Sequence, residues 1–287
     1  MAKEKDQELA VRSNEELMLQ FGEITGVESR PADLDPHDLS GTEDITQDEI
    51  RLPRLAIAQG LSKQLVPTEG VFIKGLTIGE MFNDVTGEVY GNGPLTVVPL
   101  KRSVTRIEFD PNDKKVPLDT KVPAGDKRTE WTKDAEGKGV PPRATEYVEY
   151  VSLLLKQGKV PEPIMVSIKT TNKYQRAAAK LWTTFVALRG AAIYRGLYTL
   201  VSKIEKGMNK DGQETLFGVF IVKNAGFIPS DKPAGRALIE YAKGFHERLQ
   251  GKTIVVNRET AEDNDGFDPE EIEQQQPAQT TQVDPGM

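Results

Sequence analysis

The stretch from Pro163 to Asn224 constrains the fold most strongly. It opens with the apolar run PIMVSIKTT, passes through a helical pattern, and ends in two strand-like runs, YRGLYTLVSKIE and ETLFGVFIVKN, joined by KGMNKDGQ. Runs rich in β-branched and aromatic residues indicate strands, and Asp211-Gly212 is a turn pair typical of hairpins. The pattern therefore predicts a strand, a helix and a long β-hairpin in that order.

The predicted helix has an apolar stripe and a separate basic ridge. Thr170, Thr171 and Asn172 are suited to cap its start. The stripe follows i, i+4 and i+7 spacing, which predicts a core position for Trp182; its members are Tyr174, Ala178, Leu181, Trp182, Phe185 and Leu188. The ridge consists of Lys173, Arg176 and Lys180, which either contact phosphate groups or keep the helix soluble.

Upstream of this stretch the sequence indicates further β-structure and one long insertion. Strands are predicted near residues 71–78, 95–109 and 145–155. Residues 110–143 are rich in Lys, Asp, Gly and Pro and contain one large aromatic residue, Trp131. Loops of this length inside a domain are usually functional or disordered. The insertion is therefore either a flexible flap over a ligand or a solvated loop.

Charge is distributed unevenly along the chain, which has 287 residues and a net charge of −7. Residues 1–49 have 4 basic and 14 acidic side chains, and residues 258–287 have 1 basic and 9 acidic side chains. Residues 50–257 have 32 basic and 21 acidic side chains, a net charge of +11. We expect an acidic, largely disordered N-terminal arm, a basic folded body and an acidic, disordered tail. This asymmetry is typical of proteins that bind polyanions.

Several classes of function are disfavoured by the sequence. The chain has no cysteine and only two histidines, His37 and His246, which are far apart. Disulfides, thiolate metal sites and cysteine nucleophiles are excluded, and a histidine-based triad is not expected. No phosphate-binding loop, dinucleotide fingerprint, nucleophile elbow or HExxH motif is present. We expect a protein that is not an enzyme and has no cofactor and no metal.

No secretory signal or membrane segment is apparent. The N-terminus MAKEKDQELAVRS has no apolar region behind its lysines, and no run approaches about 18 apolar residues. We expect an intracellular protein.

The predicted hairpin combines aromatic and basic residues on both of its faces. Alternation places Tyr194 and Tyr198 on one face of its first strand, with Arg195 and Lys203 on the other. In the second strand Phe217 shares a face with Lys223. Cations suit phosphates and aromatic rings suit flat bases, so this mixture indicates a surface for single-stranded nucleic acid. The alternative is an ordinary α/β segment with core aromatics and solvated charges.

The arrangement of predicted strands and helices resembles an OB-fold, a small Greek-key barrel that binds oligonucleotides. With the segments LPRLAIAQGLS and TGEVYG and the acidic tail, residues 50–287 resemble phage-type single-stranded DNA-binding proteins. The resemblance implies an α+β, mainly β fold. It would be an OB-like five-stranded barrel with a helix between strands 3 and 4, a long hairpin and an added C-terminal helix. The domain would span residues 50–257, with 110–143 as its insertion.

The same resemblance implies a sequence-tolerant, non-catalytic binder of single-stranded DNA in phage replication or recombination, located in the cytoplasm of the host cell. The acidic tail would recruit replication or recombination proteins and compete with DNA, although QVDPGM lacks the terminal aromatic of many such tails. Self-association is compatible with this interpretation. A strand-annealing recombinase and a phage structural or assembly protein are the alternatives.

Thirteen residues are candidates for contact with DNA. Those predicted to stack on bases are Trp131, Tyr194, Tyr198 and Phe217. Those predicted to contact phosphates are Lys101, Arg102, Arg106, Lys169, Lys173, Arg176, Arg195, Lys203 and Lys223.

Overall fold

The computed structural model describes residues 52–111, 116–135, 137, 139–140, 142–170, 173–208 and 214–250. The predicted acidic arm and tail and the Asp211-Gly212 turn lie outside these residues.

Eleven strands and two α-helices are present in the described ranges. The strands are β1 Arg54–Ile57, β2 Met81–Asn83, β3 Val89–Gly91, β4 Leu95–Phe109, β5 Pro117–Asp119, β6 Thr132–Lys133, β7 Gly139–Val140, β8 Ala144–Leu155, β9 Glu162–Lys169, β10 Gly196–Met208 and β11 Glu214–Phe227. The helices are α1 Lys173–Leu188 and α2 Pro233–Leu249.

The main sheet has nine strands in the order β11-β10-β4-β8-β9-β1-β2-β3, and β5 adds to β4. All of its pairs are antiparallel except β1 with β9. Its five long strands are β4, β8, β9, β10 and β11, and α1 lies between the third and fourth of these in the chain. The prediction of a mainly β, α+β fold with one helix before a long hairpin and another after it is confirmed. Strands β1 to β3 extend the sheet at its β9 edge, whereas β5, which lies inside the insertion, was not predicted.

The sheet curls into a half-barrel around one apolar core. Leu55 and Met81, near one end of the strand order, share this core with Phe220 from the strand at the other end. Gln59 connects the two ends, because its Oε1 accepts from Gly218 N at 2.9 Å and its Nε2 donates to Gly218 O at 3.1 Å. The side-chain amide of Gln59 thus makes the two hydrogen bonds to Gly218 that the backbone of a neighbouring strand would make. A Cβ at Gly218 would collide with Ile57 Cγ2, so this close approach requires glycine.

The two helices pack on opposite faces of the sheet. Trp182 of α1 is fully buried in the core inside the half-barrel, as its spacing predicts. Leu238 and Ala242 of α2 pack with Val98 and Leu153 in a second core on the other face. Neither helix in the described part of the chain is long and apolar enough to cross a membrane.

The buried face of α1 is rotated from the predicted stripe. Its buried residues are Gln175, Ala178, Ala179 and Trp182. Leu181 and Leu188, both assigned to the stripe, are 44% and 80% exposed. Gln175 is also buried, and its side-chain Nε2 donates to Gly218 O at 3.4 Å, a contact that hydrophobic spacing does not predict.

An ion cluster around Arg128 attaches part of the insertion to β4. Arg128 Nη1 donates to Glu108 Oε2 at 2.8 Å and to Asp119 Oδ2 at 3.0 Å, and Nη2 donates to Asp126 Oδ2 at 2.8 Å. Glu108 also accepts from Arg143 Nε at 2.9 Å. The side-chain and backbone hydrogen bonds of Arg128 lower the pKa of Asp126 to about 2, and Arg128 and Arg143 also lower the pKa of Glu108. Arg128 thus fixes this segment instead of extending from a flap.

Candidate nucleic-acid interface

A basic strip crosses the edge between α1 and the sheet. We define it as Arg102 and Arg106 of β4 together with Lys173, Arg176 and Lys180 of α1. Arg102 lies directly across from Tyr150 in the β4–β8 register. Residues opposite each other share a face, and Tyr150 stacks on Trp182 of α1 at a centroid distance of 3.9 Å. Arg102 and Arg106, four residues apart in a strand, therefore both lie on the face that carries α1.

Arg102, at the β4 side of the strip, is held by the hydroxyl of Thr183 on α1. Arg102 Nε donates to Thr183 Oγ1 at 3.2 Å, and the Thr183 hydroxyl is 3.0 Å from the Tyr150 hydroxyl. The Tyr150 phenol is neutral near pH 7, and burial raises its pKa further above its usual range. Arg102 itself is exposed, so its guanidinium is positioned by a neutral partner and keeps its charge accessible.

Arg106 and Arg176 of the strip are each attached to the segment around Glu146 and Thr170. Arg106 Nη2 is 2.7 Å from Glu146 Oε2. The carbonyl of Glu146 accepts from Thr170 N at 2.9 Å, and the carbonyl of Thr170 accepts from Arg176 Nε at 3.1 Å. These contacts connect the start of α1 to β8, and Glu146 of β8 also pairs with Arg106.

Lys173 and Lys180 are exposed on the outer side of α1. Lys173 Nζ lies 5.4 Å from the ring centroid of Tyr174. The strip thus has five cations on two rigid elements, and one of them, Arg106, pairs with Glu146. This arrangement is suited to an extended anion.

The other predicted phosphate contacts are not part of this strip. Lys101 and Lys169 lie opposite Val151 and Tyr147, one residue out of phase with Arg102, and therefore on the other face of the sheet. Lys101 Nζ donates to Leu249 O at 2.9 Å at the end of α2.

Three further cations also lie elsewhere. Lys223 pairs with Thr199, out of phase with the inward-facing Tyr198. Arg195 is half-buried in the 3₁₀ turn before β10, and Lys203 Nζ is 3.0 Å from Glu205 Oε1 on the hairpin.

The predicted exposure of the hairpin aromatics is wrong for two residues. Tyr198 is fully buried against Trp182 and Phe185, and Phe217 is 4% exposed and packs near Tyr174. Their rings are not accessible to bases, because α1 covers them. Tyr194 is half-buried at a ring distance of 5.1 Å from His246.

Trp131 is 43% exposed, directly before β6. Trp131 is the one of the four predicted stacking residues that is exposed enough to stack on a base.

One exposed aromatic site was missed by the sequence analysis. Phe227, at the end of β11, is 49% exposed. Arg189, directly after α1, has its Cζ atom 4.7 Å from the ring centroids of both Phe227 and Tyr198. A register shift at Ala225 interrupts the alternation of β11 before Phe227, and the position of Arg189 depends on how α1 packs.

No cluster of metal ligands is evident in the described ranges. Within them, no group of three or more His, Asp or Glu side chains is placed to hold a metal ion. The buried Glu149 accepts from Thr105 Oγ1 at 2.6 Å and lies on the face opposite the strip.

Comparison with protein families gives one match. Residues 24–255 match the model of the Pam3 phage gp34-like protein family. The chain belongs to this phage protein family. No curated protein and no solved structure matches the chain.

The family match spans every described strand and both helices, including the basic strip and the Phe227 site. The expected phage origin is therefore confirmed. The acidic segment 258–287 lies beyond the matched residues.

Proposed function

We propose that this phage protein binds single-stranded DNA without catalysis and with little sequence preference, in replication or recombination of phage DNA. The observation that carries the proposal is the basic strip. Its arginines are oriented by Thr183, Glu146 and the Thr170 carbonyl, and its lysines extend along one side of α1. Cations held on a helix and a strand bind a phosphate backbone with little loss of side-chain freedom.

Binding would release counterions from the DNA backbone. For single strands the slope of log K against log salt is about −0.7 for each phosphate neutralised. Exposed rings would add stacking on bases, which is largely independent of sequence. Duplex DNA keeps its bases stacked inside the helix, so the contribution from stacking would favour the single strand.

We also propose that the half-barrel is an extended OB-fold. Supporting this are the order β11-β10-β4-β8-β9 of the five long strands, their antiparallel pairing, and the position of α1 between β9 and β10. OB-folds are partly open five-stranded Greek-key barrels. Strands β1 to β3 would then be an addition at the β9 edge.

The experiment is fluorescence anisotropy with labelled oligo-dT and a duplex of equal length over a salt series. We expect tighter binding to the single strand and a steep loss of affinity with salt. Replacing Lys173 and Lys180 by Gln should make the slope of log K against log salt less negative by about 1.4, at about 0.7 for each lost contact.

The matched control replaces Lys232 and Lys243, two exposed lysines of the α2 region on the other face of the sheet. This variant loses the same net charge and should leave the slope unchanged. Equal affinity for single strand and duplex would contradict the proposed function. Equal slopes in the two variants would show that the strip is not the site.

A further inference from the structure

We propose that Phe227, with Arg189 against one face of its ring, is a stacking platform for an unpaired nucleobase. This inference rests on the proposed function and assigns a base-binding position within it. The platform replaces the buried Tyr198 and Phe217 as the aromatic site of the hairpin.

The exposure of aromatic rings favours Phe227. Phe72, Trp131 and Phe227 are the exposed Phe and Trp residues in the described ranges. Of these three, Phe227 has a cation over its ring, with Arg189 Cζ at 4.7 Å from the centroid. A ring next to a guanidinium suits a ligand that has a flat base and a phosphate on the same unit.

The guanidinium of Arg189 is fixed rather than freely rotating. Its Nη2 donates to Asn224 Oδ1 at 2.5 Å, and its Nη1 donates to Gly226 O. It lies between the rings of Tyr198 and Phe227, at 4.7 Å from each. Arg189 lies against one side of the Phe227 ring and the residue is 49% exposed, so we assign the base to the other side of the ring.

The platform is placed within reach of the basic strip. Arg189 follows Lys180 by nine residues, which is about 14 Å along a helix at 1.5 Å per residue and about two and a half turns around its axis. Leu188, the last residue of α1, is 80% exposed and adds apolar surface at this end of the helix. A strand whose phosphates contact Lys173 and Lys180 on the exposed side of α1 would bring a base to Phe227 by passing around the end of the helix.

Packing alone does not account for Phe227. The contact between Arg189 and Tyr198 already connects the end of α1 to β10, and Phe227 is not a member of either main core. Replacing Phe227 should therefore affect binding more than folding.

The experiment compares the full chain and its Phe227→Ala variant for binding to oligo-dT and to an oligonucleotide of the same length with abasic positions. We expect about a 5- to 150-fold loss of affinity for oligo-dT, the range for one stacked base. The salt slope should stay unchanged because phenylalanine carries no charge. On the abasic strand the two proteins should bind equally, because the base is absent.

Two more variants separate stacking from apolar packing. Phe227→Trp keeps a π-face and should retain affinity, whereas Phe227→Leu keeps apolar volume and should bind as weakly as Phe227→Ala. In a Trp131→Phe background, where Trp182 is fully buried, the fluorescence gained by Phe227→Trp should be quenched by oligo-dT and not by the abasic strand.

The outcomes distinguish this inference from the proposed function. Wild-type affinity of Phe227→Ala or Phe227→Leu for oligo-dT would overturn the platform while single-strand binding stands. A loss of affinity that is equally large on the abasic strand would also overturn it. If the unaltered chain binds duplex as tightly as oligo-dT, the proposed function fails first.

Discussion

Trp182 holds α1 inside the half-barrel. Its indole stacks on Tyr150 at 3.9 Å with an interplanar angle of 15° and lies 5.8 Å from the ring of Tyr198. The same packing orients Thr183, the next residue, toward Arg102. One buried side chain thus positions part of the basic strip.

Replacing Trp182 by Ala should lower the free energy of unfolding by about 3–5 kcal/mol, because it removes a large fully buried ring and leaves a cavity. Urea denaturation followed by circular dichroism measures the change. Leu188→Ala on the same helix is the control, and its 80% exposure predicts a change within about 0.5 kcal/mol. Similar losses in the two variants would contradict the packing described for α1.

At residue level, the sequence predicted burial better than accessibility. Trp182 could be assigned to the core because its spacing fits a helix with one apolar face. Tyr198 and Phe217 were assigned to an exposed surface because alternation in a hairpin does not show which neighbours cover each face. Phe227 was missed for the same reason, since its contact with Arg189 joins residues 38 positions apart in the sequence.

At the scale of elements, the sequence predicted the long strands and both helices well. Strand β4 covers Leu95–Phe109 and β8 covers Ala144–Leu155, close to the predicted 95–109 and 145–155. The predicted strand at 71–78 instead forms turns stabilised by local hydrogen bonds such as Ile73 N to Gln64 O. Glycines at 75 and 79 adopt positive φ there, which ends the extended pattern.

The Arg128 cluster predicts acid release of the insertion segment 116–130. The pKa values of Glu108, Asp119 and Asp126 are all lowered, that of Asp126 to about 2. A carboxylate with a lowered pKa stabilises the folded state above its unfolded value, and this stabilisation is lost as pH falls through the folded value. We therefore expect the segment to detach between about pH 4 and pH 2.

Pepsin digestion with mass spectrometry measures this release, because pepsin is active over that pH range. Cleavage between residues 116 and 131 should accelerate as pH falls to about 2 in the unaltered chain. In Arg128→Gln the segment should be cleaved rapidly at pH 4 already, because the cluster has lost its central cation. Lys127→Gln, a neighbouring exposed lysine, should behave like the unaltered chain. Identical cleavage of all three proteins would contradict the role of Arg128.

At the scale of the whole molecule, the separation of charge is the feature that the fold does not explain. The body from 50 to 257 has a net charge of +11, whereas residues 258–287 have −8. Opposite charges on one chain attract over about a Debye length, roughly 10 Å at 0.1 M salt. Under the proposed function, the acidic segment and the DNA backbone compete for the same cations.

Deleting residues 258–287 should therefore tighten binding to oligo-dT by at least about fivefold at low salt, the lower end of typical coupling between two sites. The difference should shrink as salt rises, because screening weakens attraction between the acidic segment and the body. Anisotropy titrations across a salt series measure both effects.

The control keeps the segment and replaces its nine acidic residues by Asn and Gln, which should act like the deletion. A scrambled segment of unchanged charge should bind like the full chain. Tighter binding by the scrambled chain would show that sequence, rather than charge, is responsible for competition.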